Sequence, residues 1–503
     1  MTSGSGRLSK GPHPVLLELL YDPGYESDRV HALPRLLQID AAHVVMLAEQ
    51  GILTRLIAGQ LLRVNRDLTT QIAAGAAVLP RPSEPHRGLY YRYEQEYIDR
   101  LGPEVGGSAH VARSRNDINA TLTRLRLRDE LASILDHALA LAHALCTSAR
   151  ANRETLTCGF THRQPAQPST LGHYFAGVCG ELVRTARWLE DAYATTNRCP
   201  MGAAAGFGTS FAIDPARVSS LLGFDAPIGN STDAVASRDY AIQAVAGMAT
   251  AGSMLTRVST DLQEWAGLAY GFITWDDDLV STSSIMPQKR NAYVLENVRG
   301  RASQVTGALV NVLIGLKSAP WTNSVEVSAD AMSSLWAACD HIRTALRLMH
   351  TLVTSLVVMP EKMTVFLQTS GTAMTAVADL LVVRYGIAFR LAHDVVARLV
   401  NELPPGEPSG ADVRARLERL MTAVVGRAVE IDEATVASAL DAASCVRAAA
   451  YGGGPAPHAV DAQVDVLEAE IATSVRRLAE RRRHAVAATE LLTGSIETMI
   501  GAL

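Results

Sequence analysis

The chain has 503 residues, 48% of them hydrophobic and 19% charged, with a formal net charge of −5. That length is too great for one compact core and implies two or three units, unless a single long helical body runs through the chain. The slightly acidic balance, with a pI near 6.3, excludes an electrostatic case for nucleic acid or an anionic membrane as partner. Only 5% of the residues are aromatic, and Ala, Leu and Val dominate the apolar set, which favours helix packed on helix. The six cysteines (Cys146, Cys158, Cys179, Cys199, Cys339, Cys445) are scattered without a Cys-x-x-Cys or Cys/His cluster. That pattern points to a reducing compartment and against a structural zinc. Met1 to Lys10 is polar with no apolar stretch behind it, and runs such as Leu352 to Met359 are too short to span a bilayer. The expected location is cytoplasmic.

In chain order, the residues before about 115 read as short helices and loops, broken at Pro80, Pro82 and Pro85. Five long stripes of helical period come next. They run through Leu131, Ile134, Leu135, Ala138, Leu141 and Leu145; through Leu171, Phe175, Val178, Leu182, Ala186, Leu189 and Tyr193; and through Leu255, Val258, Leu262 and Trp265. The last two pass through Leu295, Val298, Ala302, Val305, Leu309, Val312 and Leu316, and through Leu335, Trp336, Cys339, Ile342, Leu346 and Met349. Alternating strand patterns are almost absent. Pro360 opens a C-terminal unit of shorter helices with turn-rich loops at Pro404 to Gly410 and Gly452 to Pro457. The arginines between Arg476 and Arg483 fit a solvated helix face. The expected fold is therefore mostly α, in three units: 1–115, a central long-helix bundle 116–361, and 362–503. The many Ala and Gly residues leave flat faces suited to packing against other helices, either of the same chain or of further subunits.

Four polar clusters sit where the long stripes begin or end, which is where a bundle can hold polar groups open to a ligand. Ser114, Arg115 and Asn116, with helix N-terminal amides, could hold a carboxylate, though a plain helix cap needs only one of them. Thr161 and His162, followed by Gln164, Pro165, Gln167 and Pro168, read as a rigid polar loop, with His162 either a proton carrier or a surface group. Asn230 to Tyr240 would place Arg238 for a second anionic group, or else pair it with Asp239 in solvent. The richest cluster is Ser281-Thr282-Ser283-Ser284-Ile285-Met286-Pro287-Gln288-Lys289-Arg290-Asn291. A loop carrying a hydroxyl, beside a cation and an amide, suits proton abstraction next to a carboxylate; the ordinary alternative is turn chemistry before a helix. Glu296 lies about two helical turns beyond Lys289 and could hold the His162 imidazole in one tautomer.

With these clusters in this order, the chain resembles the fumarase/aspartase superfamily, and within it argininosuccinate lyase. The superfamily signature, Gly-Ser-Ser-x-Met-Pro-x-Lys-x-Asn, is matched by Thr282 to Asn291. The subfamily markers are matched by Ser114 to Asp117, Thr161 to Pro168, and Asn230 to Val235, with weaker echoes at Cys199 to Ala203, Ala392-His393 and Tyr451 to Gly453. The likeness runs from about Leu37 to about Glu470. It implies a homotetramer with a shared helical core and active sites built from three chains. It also implies β-elimination from an N-substituted aspartate to give fumarate, with no metal or organic cofactor. Carried over, Ser283 is the base, and Lys289 and Asn291 hold the aci-carboxylate intermediate. Ser114, Asn116, Thr161 and Arg238 hold substrate carboxylates, and His162 with Glu296 serves proton transfer to the leaving group. Arg115 and Gln288 complete the candidate binding set.

The chain also departs from the pattern. Thr282 stands for the glycine that opens the signature, Tyr21 to Pro34 replaces a Trp-Gly-Gly-Arg-Phe opening, and Tyr90 takes the place of a histidine. A Tyr-Asn-x-Asp-x-Gln-Glu-Asp stretch aligns with Asn323 to Asp330, losing the Tyr and the Gln. The fumarate-forming half of the site is intact and the leaving-group half is rebuilt. The expected substrate is argininosuccinate or a specialised analogue. A fumarase- or adenylosuccinate lyase-type enzyme is the alternative, and a non-catalytic structural or binding relative the third reading.

Overall fold

The computed structural model describes residues 10–403, 410–426 and 428–501. Apart from Lys10 and Gly410, the polar N-terminal segment and the Pro404–Gly410 loop lie outside the described residues. The first unit gathers four helices: α1 (Asp22–His31), α2 (Leu33–Glu49), α3 (Arg55–Ala73) and α4 (Leu89–Gly106). Leu36, Ile39, Leu47, Leu61 and Tyr93 fill its core, and Pro80, Pro82 and Pro85 lie in the connection between α3 and α4. At its centre Asp40 accepts from both Tyr93 Oη and Arg113, and Asn65 donates to Tyr97 Oη at 3.1 Å. A buried carboxylate so paired avoids the cost of an isolated charge.

The five expected stripes form the five long helices of the middle of the chain. These are α5 (Arg115–Ala151), α6 (Leu171–Thr196), α8 (Asp239–Ala266), α9 (Tyr293–Leu316) and α10 (Ala331–Thr354), with the short α7 (Ser231–Ala236) leading into α8. Their apolar faces meet in one core that contains Leu131, Phe175, Met248, Val298 and Leu335. Small residues set the helix spacing. An added Cβ on Gly252 would lie 3.0 Å from Ala302 O, and one on Gly315 would lie 3.0 Å from the Ala331 Cα. Over 18 residues α5 is apolar enough to cross a membrane by composition, but 56% of that window is buried inside the bundle.

Contacts along the helices show that neighbours run antiparallel, with Gly172 against Ala149, Gly247 against Leu189 and Gly315 against Ala331, so the bundle has two poles. One pole collects the start of α5, the end of α6, the start of α8, the end of α9 and the start of α10. There Arg124 of α5 donates to Thr195 O of α6 at 2.8 Å and stacks on Tyr240 of α8. The other pole collects the opposite ends, where Gln263 of α8 donates to Glu296 of α9 at 3.0 Å.

Thr161 to Pro168, expected to be a rigid polar loop, belong instead to an antiparallel hairpin of β1 (Leu156–Thr161) and β2 (Gln164–Thr170), joined by His162 and Arg163. Pro165 and Pro168 hide the alternation in the sequence. They are tolerated because a two-stranded ribbon consists of edges, where a missing N–H faces outward. The signature stretch is closed at its base by β3 (Ser281–Thr282) and β4 (Arg290–Asn291), in the register Ser281↔Asn291 and Thr282↔Arg290.

Beyond Pro360, α11 (Met374–Tyr385), α12 (Phe389–Glu402), α13 (Gly410–Val425) and α14 (Glu433–Leu440) enclose a small core of Val377, Leu381, Val395, Leu399, Leu417 and Val436. The expected 362–503 unit does not follow the packing to its end. The 45-residue α15 (Pro457–Gly501) leaves that core. Its Val460, Val464, Ile471 and Leu478 join the central core, and its Leu492, Met499 and Ile500 join the N-terminal one. Ion pairs from Arg150 to Asp465 (2.5 Å) and Glu468 (2.8 Å) fasten it to α5. An apolar stripe this long is satisfied by whichever faces lie along it, and these belong to two other units.

A tight turn-in lies at Gly172, where an added Cβ would lie 2.5 Å from Ala149 O and 2.7 Å from the Arg153 Cα, both backbone atoms. Gly172→Ala is expected to lower stability by about 1–3 kcal/mol, read as a fall in the thermal midpoint. Gly494→Ala, in helical open space, is expected to raise it by about 0.5–1 kcal/mol.

Candidate active site

At the first pole, Ser114 caps α5. Its Oγ accepts from Asn116 N at 3.3 Å, and Asp117 Oδ1 accepts from Ser114 N at 3.0 Å, a capping box. The loop after Cys199 folds over this start. Gly202 N and Ala204 N donate to Asp117 Oδ2 at 3.3 and 2.8 Å, with both residues in the left-handed region that turns successive amides inward. Asn116 donates to Ala205 O at 3.0 Å and accepts from Asn323 Nδ2 at 2.9 Å. Arg115 is exposed and lies over the Tyr91 ring. The Asn230 motif supports the same loop, with Ser231 and Thr232 hydroxyls both donating to Gly206 O.

Arg238 is not a solvent-facing partner of Asp239. It is 4% exposed, and its guanidinium donates to the carbonyls of Val327 (3.1 Å), Val235 (3.1 Å) and Ser237 (2.6 Å). A buried cation needs such acceptors, and here they lock α7, α8 and the start of α10 together.

At the opposite pole, His162 and Arg163 occupy the hairpin tip with φ of 53° and 61°. Two left-handed residues make the turn whose twist matches a two-residue hairpin, a conformation costing about 1–2 kcal/mol for each residue with a side chain. Thr161, His162 and Arg163 are exposed, and an ion pair from Arg163 to Glu264 at 2.6 Å ties the tip to the last turn of α8. Glu296, in the first turn of α9, holds Gln263. Among the described residues, His162 and Glu296 share no hydrogen bond or ion pair.

The signature loop projects from this same pole. Ser283 and Lys289 are the next residues outward from the Thr282·Arg290 pair, so both stand at the base of the loop. Arg290 pairs with Asp277 and donates to Trp275 O at 2.8 Å, which clamps the outgoing arm. Ser283 Oγ accepts from the backbone N–H of Ile285 (3.3 Å) and Met286 (3.2 Å). Gln288 and Lys289 are exposed, Asn291 is half-buried, and no ion pair holds the Lys289 ammonium among the described residues.

One chain therefore brings together Ser114, Asn116 and Arg238 at one pole, and Thr161, His162, Ser283, Lys289, Asn291 and Glu296 at the other. The 28 residues of α8, with Arg238 before the first and Glu264 in the last turn, span about 42 Å. No side chain bridges that distance. Sequence reasoning missed Asp117 and Gln263. The Ser-x-x-Asp spacing before an apolar run could have found the first; nothing local marks the second.

The lyase family model matches residues 54–307. An argininosuccinate lyase from Shouchella clausii is 33% identical over 487 residues, covering 97% of each chain. The argininosuccinate lyase of Haloarcula marismortui is 36% identical and covers 95% of this chain and 92% of its own. The chain belongs to the fumarase/aspartase superfamily of lyases. It is a carbon–nitrogen lyase of the argininosuccinate lyase-like kind. Among solved structures, EDDS lyase in complex with formate superposes with a TM-score of 0.86 at 29% identity, covering 100% of this chain and 98% of that one. A variant of EDDS lyase with bound fumarate superposes equally well. The class II fumarase of Schistosoma mansoni, 16% identical with a TM-score of 0.66 over 82% of this chain and 90% of its own, shares the fold.

Burial pushes the Asp117 carboxyl up to about 6 despite its backbone donors at Ser114, Ala204 and Gly202. A carboxyl whose folded pKa exceeds its unfolded value stabilises the fold below the unfolded pKa and loses that contribution as pH rises through about 6. Asp117→Asn does not titrate. Its stability relative to the natural chain is expected to rise by about 2 kcal/mol between pH 4 and 7, read from paired thermal midpoints across that range.

Proposed function

We propose that the enzyme removes a nitrogen group from an N-substituted L-aspartate by β-elimination, releasing fumarate. Ser283, as alkoxide, takes the Cβ proton. The electron pair moves into the adjacent carboxylate to give an aci-carboxylate dianion, which Lys289 and Asn291 hold. Its collapse forms the carbon–carbon double bond, breaks the C–N bond, and sends the nitrogen out with a proton delivered through His162. The carrying observation is the setting of Ser283 Oγ, which accepts two backbone N–H bonds on a clamped loop. A serine hydroxyl is a poor base, and fixed amides aimed at its oxygen lower the cost of the anion where it forms. The loop's exposed position leaves room for it to close over substrate and exclude water.

The candidate carboxylate-holding residues Ser114 and Asn116 belong to the pole opposite the base, where the buried Arg238 braces the helix ends, so the complete site is formed between subunits, in a homotetramer. The exposed face of α9 supports this assembly. Gly300 and Gly307 have nothing within 4 Å of an added Cβ, and Val310, Leu313 and Ile314 lie open to solvent on a central helix. Such an apolar face on a long helix is buried when copies pack together. The nitrogen group is that of argininosuccinate or of a related N-substituted aspartate. The first pole differs from the argininosuccinate lyase pattern at Tyr90 and from Asn323 to Asp330.

Incubation with argininosuccinate, followed by other N-substituted aspartates including EDDS, is expected to yield fumarate detectable by NMR from at least one of them. Ser283→Ala is expected to lower kcat by roughly 10³-fold or more with an unchanged circular dichroism spectrum; full turnover would remove Ser283 as base. Mixing inactive Ser283→Ala and Asn116→Ala chains after dissociation is expected to restore turnover, since a site formed from opposite poles of two different chains can then hold both residues intact.

A further inference from the structure

The last turn of α8 reaches two separate parts of the second pole through adjacent side chains. Gln263 Nε2 donates to Glu296 Oε1 at 3.0 Å, from α8 to the first turn of α9. Glu264 pairs with Arg163 at 2.6 Å, and Arg163 follows His162 in the hairpin tip. The turn that carries both contacts is itself firmly held. Leu262 and Trp265 are buried in the central core, and Tyr174 of α6 donates to Asp261 Oδ2 at 2.9 Å. Gly267 N closes the helix on the carbonyls of Gln263 and Glu264 at 3.1 and 3.0 Å.

Glu296 is placed quite differently. It stands on the exposed side of α9, and among the described residues Gln263 is the one side chain that bonds or pairs with its carboxylate. A glutamate so exposed samples several rotamers, and a donor fixed at Oε1 selects among them. Oε2 is left open, ready to accept from an imidazole N–H. A neutral amide suits this task. It steers the carboxylate without neutralising it, where a cation would compete with the imidazole and an acid would repel the carboxylate.

We infer that Gln263 is a positioning residue for proton delivery: it holds Glu296 by one oxygen so that the other is presented to the His162 imidazole. The neighbouring Glu264 steadies the hairpin tip that carries such an imidazole. The inference rests on the proposed lyase activity, in which the departing nitrogen takes its proton through His162. It adds the group that sets the carboxylate behind that histidine. His162 and Glu296 share no bond within one chain, so their pairing is made on assembly of the site. The direction of the carboxylate is therefore set beforehand, by α8.

The test is a double-mutant cycle on the whole enzyme, reading fumarate release from argininosuccinate, or from EDDS where that is the compound turned over. Gln263→Leu removes the donor and keeps much of the bulk. It is expected to lower kcat about 10-fold with KM within about 2-fold of the natural value, as loss of one charge-assisted hydrogen bond implies. Gln263→Glu, similar in shape and like in charge to its neighbour, is expected to lower kcat at least as far. In a Glu296→Gln background, already slow, either change is expected to cost less than about 2-fold more, because the carboxylate that Gln263 serves is gone. A purely structural role lowers kcat by the same factor in both backgrounds, and that result overturns the assignment. So does natural turnover in both Gln263 variants, or in Glu296→Gln. Gln263→Glu completes the cycle if circular dichroism shows that Gln263→Leu misfolds. In all these cases fumarate release by the natural enzyme leaves the lyase activity standing. No fumarate from either compound with the natural enzyme sinks both.

Discussion

The governing constraint on this molecule is the rigid rise of its long helices. A 28-residue helix cannot shorten, so the groups flanking its two ends stay about 42 Å apart. Because successive helices run in opposite directions, each helix end carrying a polar cluster is assigned to one of two poles. Two core-forming demands produce that layout: apolar stripes that must be buried, and close approaches at Gly252 and Gly315 that set helix spacing. The proposed chemistry builds on that layout, since Ser114 and Asn116 are displayed at one end of the body and Ser283 at the other. In the proposed assembly a second body, laid alongside in the reverse sense, brings the two sets face to face.

Within each pole the backbone carries more of the electrostatics than side-chain charge. Amides of Ile285 and Met286 point at Ser283 Oγ, amides of Gly202 and Ala204 at the Asp117 carboxylate, and carbonyls of Val235, Ser237 and Val327 at the Arg238 guanidinium. Such dipoles are fixed by the fold and need no reorganisation when charge appears. The hairpin tip is different in kind. His162 and Arg163 are held in left-handed conformations that glycine would adopt more easily, and the ion pair to Glu264 helps keep them there. Strain at that spot places an imidazole on a tether of defined direction.

Much of this was legible in the sequence. Residues from Leu131 to Met349 showed five helical stripes because helix burial writes a period near 3.6 into the apolar positions. The clusters at Ser114, Thr161, Asn230 and Ser283 stood out because polar residues gather where those stripes stop. The hairpin at Leu156 to Thr170 was illegible, since two prolines and a run of polar residues erase the alternation a strand needs. Burial of Arg238 was also hidden, because its acceptors are main-chain carbonyls and Val327 lies 89 positions away. The separation of the clusters into two poles needed the direction of every helix, which no local pattern contains. Nor did local patterning reveal that the last helix serves two distant cores.

That last helix has a consequence for how the protein comes to exist. Leu492, Met499 and Ile500 complete the apolar packing around Leu36, Ile39 and Leu61, residues made some 450 positions earlier. Synthesis proceeds from the N-terminal side, so the portion of this polypeptide made first keeps greasy surface uncovered until a helix some 450 positions later has been made and has folded back onto it.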